Sequence, residues 1–238
     1  MEPVGAAGVE LIGPDARDFR ERVASLMGRP LDDVVKAALP WSVIAINNRG
    51  RAVALLGIRF DMAGPGAKNY SVIHYADTLR HPENAAILPG ASRFVCAEPL
   101  YTDLVLRRGR HIDARGPMNL ENLRRIRSLR ASVDCVALDD GQFAGPDSLG
   151  AFARFENERQ AEAALLEQLL GGGAEVETLL RQASEIPGAA QQDRPLLAPR
   201  VLARKLFDGM QTGGLDEVLS RARDHRLRIP LWRAAELR

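Results

Sequence analysis

Apolar positions recur along this chain with two different periods. Between residues 41 and 145 they alternate with polar positions in short runs, and on both sides of that region they recur every three or four residues. Side chains alternate across a strand, whereas one face of a helix is revisited at the longer spacing. The pattern therefore predicts a β region with helices before and after it. Residues 41–62 (WSVIAINNRGRAVALLGIRFDM) read as two strands around a turn at Asn47-Asn48-Arg49-Gly50, residue types that reach positive φ at least cost. In the second strand Ala52, Ala54, Leu56, Ile58 and Phe60 share one face. Val53, Leu55, Gly57, Arg59 and Asp61 share the other, which starts apolar and ends charged. The expectation is a hairpin covered fully on one side and partly on the other, with Arg59 and Asp61 marking where the second cover stops.

The flanking pattern completes the outline. Residues 1–14 read as a polar, glycine-rich lead-in. Asp15 can cap a helix running to Met27, with Phe19, Val23 and Leu26 inward and Gly28 as its stop; a short helix from Asp32 to Leu39 ends at Pro40. Strands are expected over 69–77 and 93–97; residues 119–129 fit a short helix through Leu120, Leu123 and Ile126, or from Arg127 the start of a strand running to Leu138. Asp139-Asp140-Gly141-Gln142 turns that run back through Phe143-Ala144. Residues 98–118 show no sustained period. After Gly145-Pro146 the pattern is helical: one long helix from Asp147 or Ser148 to Leu170, then about 174–185, 199–210 and 215–226. Arg159 interrupts the stripe of the first and is expected to snorkel or to pair with a carboxylate. A second sheet built from 69–77, 93–97 and 129–144 is expected to cover the hairpin.

Three quoted stretches, NNRGRAVALLGIRF, ILPGASRFV and SVDCVALDDGQFAGPD, resemble uncharacterised bacterial proteins with an immunoglobulin-like sandwich. There an N-N-S-G-K-P type turn joins two early strands and a P-G-x-S-R turn precedes a later one. The likeness covers roughly the middle half of the chain. It implies a sandwich and carries no activity, so no functional residue follows from it.

Composition narrows the function classes. Hydrophobic residues are 46% and charged residues 26% of 238, the balance of an ordinary globular protein. A net charge of +1 argues against a global field for nucleic acid or membrane surfaces. Two cysteines, Cys96 and Cys135, exclude a disulfide-rich scaffold. They are expected to be reduced and buried rather than paired. No apolar run reaches the ~20 residues of a membrane span, and the first residues carry no basic-then-apolar leader. The expected compartment is cytoplasmic unless a signal peptide has been removed.

Candidate chemistry is sparse. His74, Asp77 and His81 fall close together, with His111 further on; imidazole and carboxylate suit zinc or iron. The competing reading makes His74 a packed strand residue. Cys96 is a possible nucleophile, but its setting (RFVCAE) is a hydrophobic strand. Ser92 lacks the strand–turn–helix context of a hydrolase serine. Asp139, Asp140 and Asp147 lack the alternation of a calcium loop. Residues 64–69 (GPGAKN) lack the G-K-[ST] ending of a phosphate loop, and no cofactor is expected. Residues 107–130 hold eight arginines against Asp113 and Glu121. Arg107, Arg108, Arg110 and Arg115 are the candidate binding residues.

Taken together, the sequence predicts an α+β protein: an N-terminal lead-in with helices (1–40), an antiparallel immunoglobulin-like β-sandwich (41–145) and a C-terminal helical region (146–238). The expected function is a non-catalytic binding or assembly module acting on protein partners, with nucleic acid disfavoured. The alternative is a metal-dependent hydrolase or metalloprotein using His74, Asp77, His81 and His111.

Overall fold

The structure, a computed structural model, describes residues 2–64, 69–77, 86–98, 102, 123–171, 175–185, 197–228 and 233–234. The architecture is α+β, with antiparallel sheets and five helices among the described residues. The chain divides into two compact units, with the boundary between Pro146 and Asp147.

The first unit begins with β1 (Glu2–Val4) and β2 (Val9–Ile12), then α1 (Phe19–Met27) and α2 (Asp33–Ala38). Its remaining strands are β3 (Ser42–Asn47), β4 (Val53–Ala63), β5 (Asn69–Asp77), β6 (Ser92–Cys96), β7 (Ser128–Leu138) and β8 (Gln142–Ala144). One antiparallel sheet has the order β2-β3-β6. The other runs β5-β4-β7-β8, with β1 added in parallel to β7.

Several local signals act as the sequence predicts. Gly28 closes α1 with a φ of 65°, and the Asp32 carboxylate accepts a hydrogen bond from the Val35 N–H at 2.9 Å to start α2. Gly141, at φ 85°, turns β7 into β8, so that Val136 faces Ala144.

The expected hairpin is not formed. β3 pairs with β2 and β6, whereas β4 pairs with β5 and β7. The expected second sheet is divided in the same way: 69–77 and 128–144 join β4, and 92–96 joins β3. No residue from Asn47 to Gly50 has positive φ, because the segment is a crossing between sheets and not a tight turn.

What the crossing uses is the buried Asn47 side chain. Its amide nitrogen donates to the carbonyls of Arg51 (2.8 Å) and Ile87 (2.7 Å), and its amide oxygen accepts from the Arg49 N–H at 2.9 Å. Its backbone N–H donates to the Ala91 carbonyl, and its own carbonyl accepts from the Gly90 N–H. The segment 87–91 is thereby tied to the crossing. The N-terminal lead-in is tied to it as well. Ala7 and Gly8, both at positive φ, make a two-residue turn between Ala6 and Val9. Arg49 Nε donates to the Ala7 carbonyl at 2.7 Å, and the Asn48 N–H donates to that of Gly8 at 3.0 Å. Residues 9–12, expected to be a polar lead-in, are thus a paired strand.

The alternation expected along β4 is also broken. Register shifts lie between Val53 and Leu55 and between Gly57 and Ile58. The first inserts Ala54 in β4 and turns the side chains after it to the other face; the second inserts Asp134 in β7 and leaves the alternation of β4 unchanged from Leu55 onward. Val53 therefore joins Leu56, Ile58, Phe60 and Met62 in the main core, together with Phe19, Val23, Ile44, Phe94 and Val133. Consecutive Val43, Ile44 and Ala45 are all buried, so both faces of β3 are covered.

The second unit holds α3 (Ala151–Gly171), α4 (Val176–Glu185) and α5 (Leu197–Arg228). The Asp147 carboxylate accepts hydrogen bonds from the N–H groups of Ala151 and Phe152 at the start of α3. Gly214, at φ 77° and ψ −179°, interrupts α5, at the turn expected between two helices. The unit's core includes Leu166, Leu169, Leu180, Leu206 and Val218. Arg159, the irregularity in the apolar stripe, is buried and pairs with Glu162 at 3.0 Å.

Two substitutions test this account. Asn47→Ala is expected to cost about 2–4 kcal/mol in urea unfolding, because it leaves buried backbone groups without their partner. Asn47→Asp is expected to cost more at neutral pH, since it sets a carboxylate oxygen against carbonyls. A loss below about 0.5 kcal/mol for both removes Asn47 from its central role. A Cβ at Gly57 would lie 2.6 Å from Cys135 Sγ and 3.1 Å from the Tyr75 ring. Gly57→Ala is therefore expected to destabilise by about 1–3 kcal/mol. Combining it with Cys135→Ala should recover part of that loss beyond additivity.

Candidate functional site

β4 changes character along its length. Leu55 and Gly57 are buried, whereas Arg59 and Asp61, further along on the same face, are 35% and 37% exposed in their side chains. Pairing with β5 and β7 sets three rows across the sheet: Asn69–Ala63–Ser128, Ser71–Asp61–Arg130 and Ile73–Arg59–Ser132. The result is a largely polar platform three strands wide. It forms the floor of an open groove of about 800 Å³, lined by Arg59, Asp61, Met62, Ala63, Asn69, Ser71, Arg127, Ser128, Leu129 and Arg130.

The platform is internally bonded. Arg59 donates from Nε to Asp61 Oδ1 at 2.7 Å and from Nη2 to Ser71 Oγ at 3.2 Å, and Ser71 Oγ donates to Asp61 Oδ1. Burial pushes the Asp61 pKa up. The hydrogen bonds from Ser71 and Arg59, with the charges of Arg59 and Arg130, outweigh it and hold the carboxyl below its usual range. Asp61 is thus ionised at neutral pH and fixes Arg59 over the sheet. Three arginines and one aspartate line the groove, an excess of positive charge. Such a surface can bind carboxylates or phosphates through charge-assisted hydrogen bonds.

Among the residues singled out from sequence, His74 stands opposite Ile58 on β5. Its ring meets that of Phe60 edge-on, with centroids 5.5 Å apart. Burial drives its pKa down to about 4, against an opposing hydrogen bond with the Ala97 backbone. His74 is therefore a neutral, packed imidazole at pH 7. Asp77 stands opposite Leu55 at the end of β5; its side chain lies outside the described residues, as do His81 and His111. Arg107, Arg108, Arg110 and Arg115 also lie outside them. Among the described residues no group of three or more His, Cys, Asp or Glu is placed to hold a metal ion.

Cys96 and Cys135 are both buried and are not joined in a disulfide. Burial pushes the Cys96 thiol up to about 11, with Ser42 pulling weakly the other way. A thiol held protonated in this manner is a poor nucleophile. Among the described residues no helix is long and apolar enough to cross a membrane.

The groove was missed from sequence because its residues come from three separated segments. The one local sign was the charged end of β4 at Arg59 and Asp61. Arg127 and Arg130 were visible only as the tail of an arginine cluster. Comparison with known proteins finds no matching family model, no similar curated protein and no similar solved structure.

The state of His74 has a measurable consequence. Folding lowers its pKa from 6.5 to about 4, so the unfolded chain binds more protons between those values. Its contribution to stability is complete above about pH 6.5 and is lost as the pH falls through the folded pKa, amounting to roughly 3 kcal/mol. Urea unfolding at pH 7 and pH 4.5 should show this loss in the wild type and a smaller one in His74→Phe. Equal losses in the two proteins rule it out.

Proposed function

We propose that the chain is a non-catalytic binding module acting through protein–protein contacts, built on an immunoglobulin-like β-sandwich with two helices between its second and third strands and a helical region after it. The sandwich reading is supported by two antiparallel sheets that contribute side chains to one core, as in packed-sheet domains.

The observation that carries the binding reading is the polar platform on β5, β4 and β7, with its open groove of about 800 Å³. Its position on regular strands gives a partner a rigid surface. By contrast, His74 is held neutral at a largely buried strand position and Cys96 is held protonated in the core. The metal-dependent alternative gains no supporting observation, because His81, His111 and the Asp77 side chain are outside the described residues. β5 has a strand neighbour on one side only among the described residues. Strand addition by a partner uses an edge of this kind.

Site-specific photocrosslinking tests the proposal in extracts of the native cell. A photoreactive residue in place of Ser71 or Ser128 is expected to give a discrete protein adduct. The same residue in place of Val34 or Leu88, exposed elsewhere on the same unit, should give none. No adduct at the platform, or the same adducts at all four positions, refutes the reading.

A further inference from the structure

Ser128 lines the groove and opens β7, in the last register pair between β4 and β7, opposite Ala63. It is exposed. Arg124 and Arg125 stand four and three residues before it, around a turn that the Ile126 N–H closes onto the Leu123 carbonyl at 2.9 Å. Both arginines are exposed, and among the described residues neither has a hydrogen-bond or ion-pair partner. Basophilic protein kinases recognise a charge pattern of this kind, setting carboxylates of their own cleft against arginines that precede the acceptor serine. We propose that Ser128 is a phosphoacceptor for a kinase of this class, and that the added phosphate regulates the groove. The step moves the γ-phosphoryl group of ATP to Ser128 Oγ. The new O–P bond forms as the bond to ADP breaks, and the hydroxyl proton passes to the catalytic aspartate of the kinase. The regulatory half of the inference rests on the protein-binding reading.

Spacing alone does not select Ser128, because an arginine also stands three residues before Ser25 and Ser184. The structure separates them. Arg22 is engaged by Asp18 at 2.6 Å, and Ser25 lies inside α1. Ser184 is 7% exposed, its hydroxyl donates to the Arg181 carbonyl, and Arg181 pairs with Glu177 at 2.8 Å. Ser71 follows a lysine at the same spacing, but its hydroxyl donates to Asp61. Of these four serines, Ser128 combines exposure, a place at the end of a strand ladder and preceding arginines without partners. Ends of ladders open at little cost, which lets a kinase cleft take the segment. The consequence falls on the groove. Its described lining holds Arg59, Arg127 and Arg130 against Asp61, an excess of positive charge. A phosphate carries about −1.5 to −2 charges at pH 7, so phosphorylation offsets that excess on the surface a partner would meet.

The test adds the folded full chain to an extract of the native cell with ATP, magnesium and phosphatase inhibitors, and locates phosphate by mass spectrometry. Phosphate is expected on Ser128, with an initial rate about tenfold lower for Arg125→Gln, the loss of one charge-assisted contact to the kinase. Ser25 and Ser184 should stay unmodified in the folded chain. A synthetic peptide spanning residues 178–188 should accept phosphate at Ser184, since the fold no longer protects it. With a photoreactive residue in place of Ser71, phosphorylation at Ser128 should lower the yield of protein adduct about threefold or more. The assignment is overturned if Ser128 takes no phosphate, if Ser25 or Ser184 of the folded chain is modified as fast, or if Arg125→Gln leaves the rate unchanged. An adduct yield indifferent to phosphate at Ser128 overturns the regulatory half. Absence of any adduct from the unmodified chain removes the protein-binding reading and the regulatory half with it, whereas the phosphoacceptor assignment stands or falls on the mass spectrum.

Discussion

A single buried amide organises the first unit. Asn47 ends β3 at the point where the chain leaves one sheet for the other, and its side chain bonds across the crossing to Arg49, Arg51 and Ile87. The peptide groups there cannot join a strand ladder, so without such partners they would be buried at a cost. Because Asn47 supplies them, the crossing can sit against the core and hold both the 87–91 segment and, through its neighbours, the N-terminal turn. The consequence reaches the groove. Released from pairing with β3, β4 takes β5 on one side and β7 on the other, and the three-strand platform exists only because of that choice.

The platform also depends on where β4 stops being covered. Buried Leu55 and Gly57 give way to half-exposed Arg59 and Asp61 on one continuous strand. The ion pair between these two adds little stability at such exposure. Its effect is geometric, since with Ser71 it fixes the guanidinium by two hydrogen bonds and keeps the carboxylate charged. The register shift at Gly57 sits at the same transition, where Cys135 Sγ and the Tyr75 ring crowd the space a side chain would need. A glycine there allows close packing in the covered half next to an open, polar half.

Local chemistry was legible wherever a residue acts on its own neighbours. Gly28, Asp32, Gly141, Asp147 and Gly214 end or begin elements by their own backbone freedom or capping oxygen, and each does so at its expected place. The Ala7-Gly8 turn was not legible, because alanine at positive φ is held there by Arg49 from a distant part of the chain. The exchange of faces at Val53 was hidden for a related reason: a strict period of two contains no sign of an inserted residue. Most of the groove was hidden as well, since Asn69, Ser71, Arg127 and Arg130 carry no motif and gain meaning only beside Arg59 and Asp61.

The sequence by itself determined the class of architecture, the position of the β region and the ends of most helices, since these follow from periodicity and short-range capping. It also marked the charged end of β4. Only the tertiary structure decided which strands pair, that residues 47–51 cross between sheets, that His74 is a neutral packed imidazole, and that three arginines share one groove. The physical reason is that strand pairing is a contest among partners far apart in the chain. Its outcome is set by buried hydrogen bonds and packing summed over the whole unit, which no window of sequence contains.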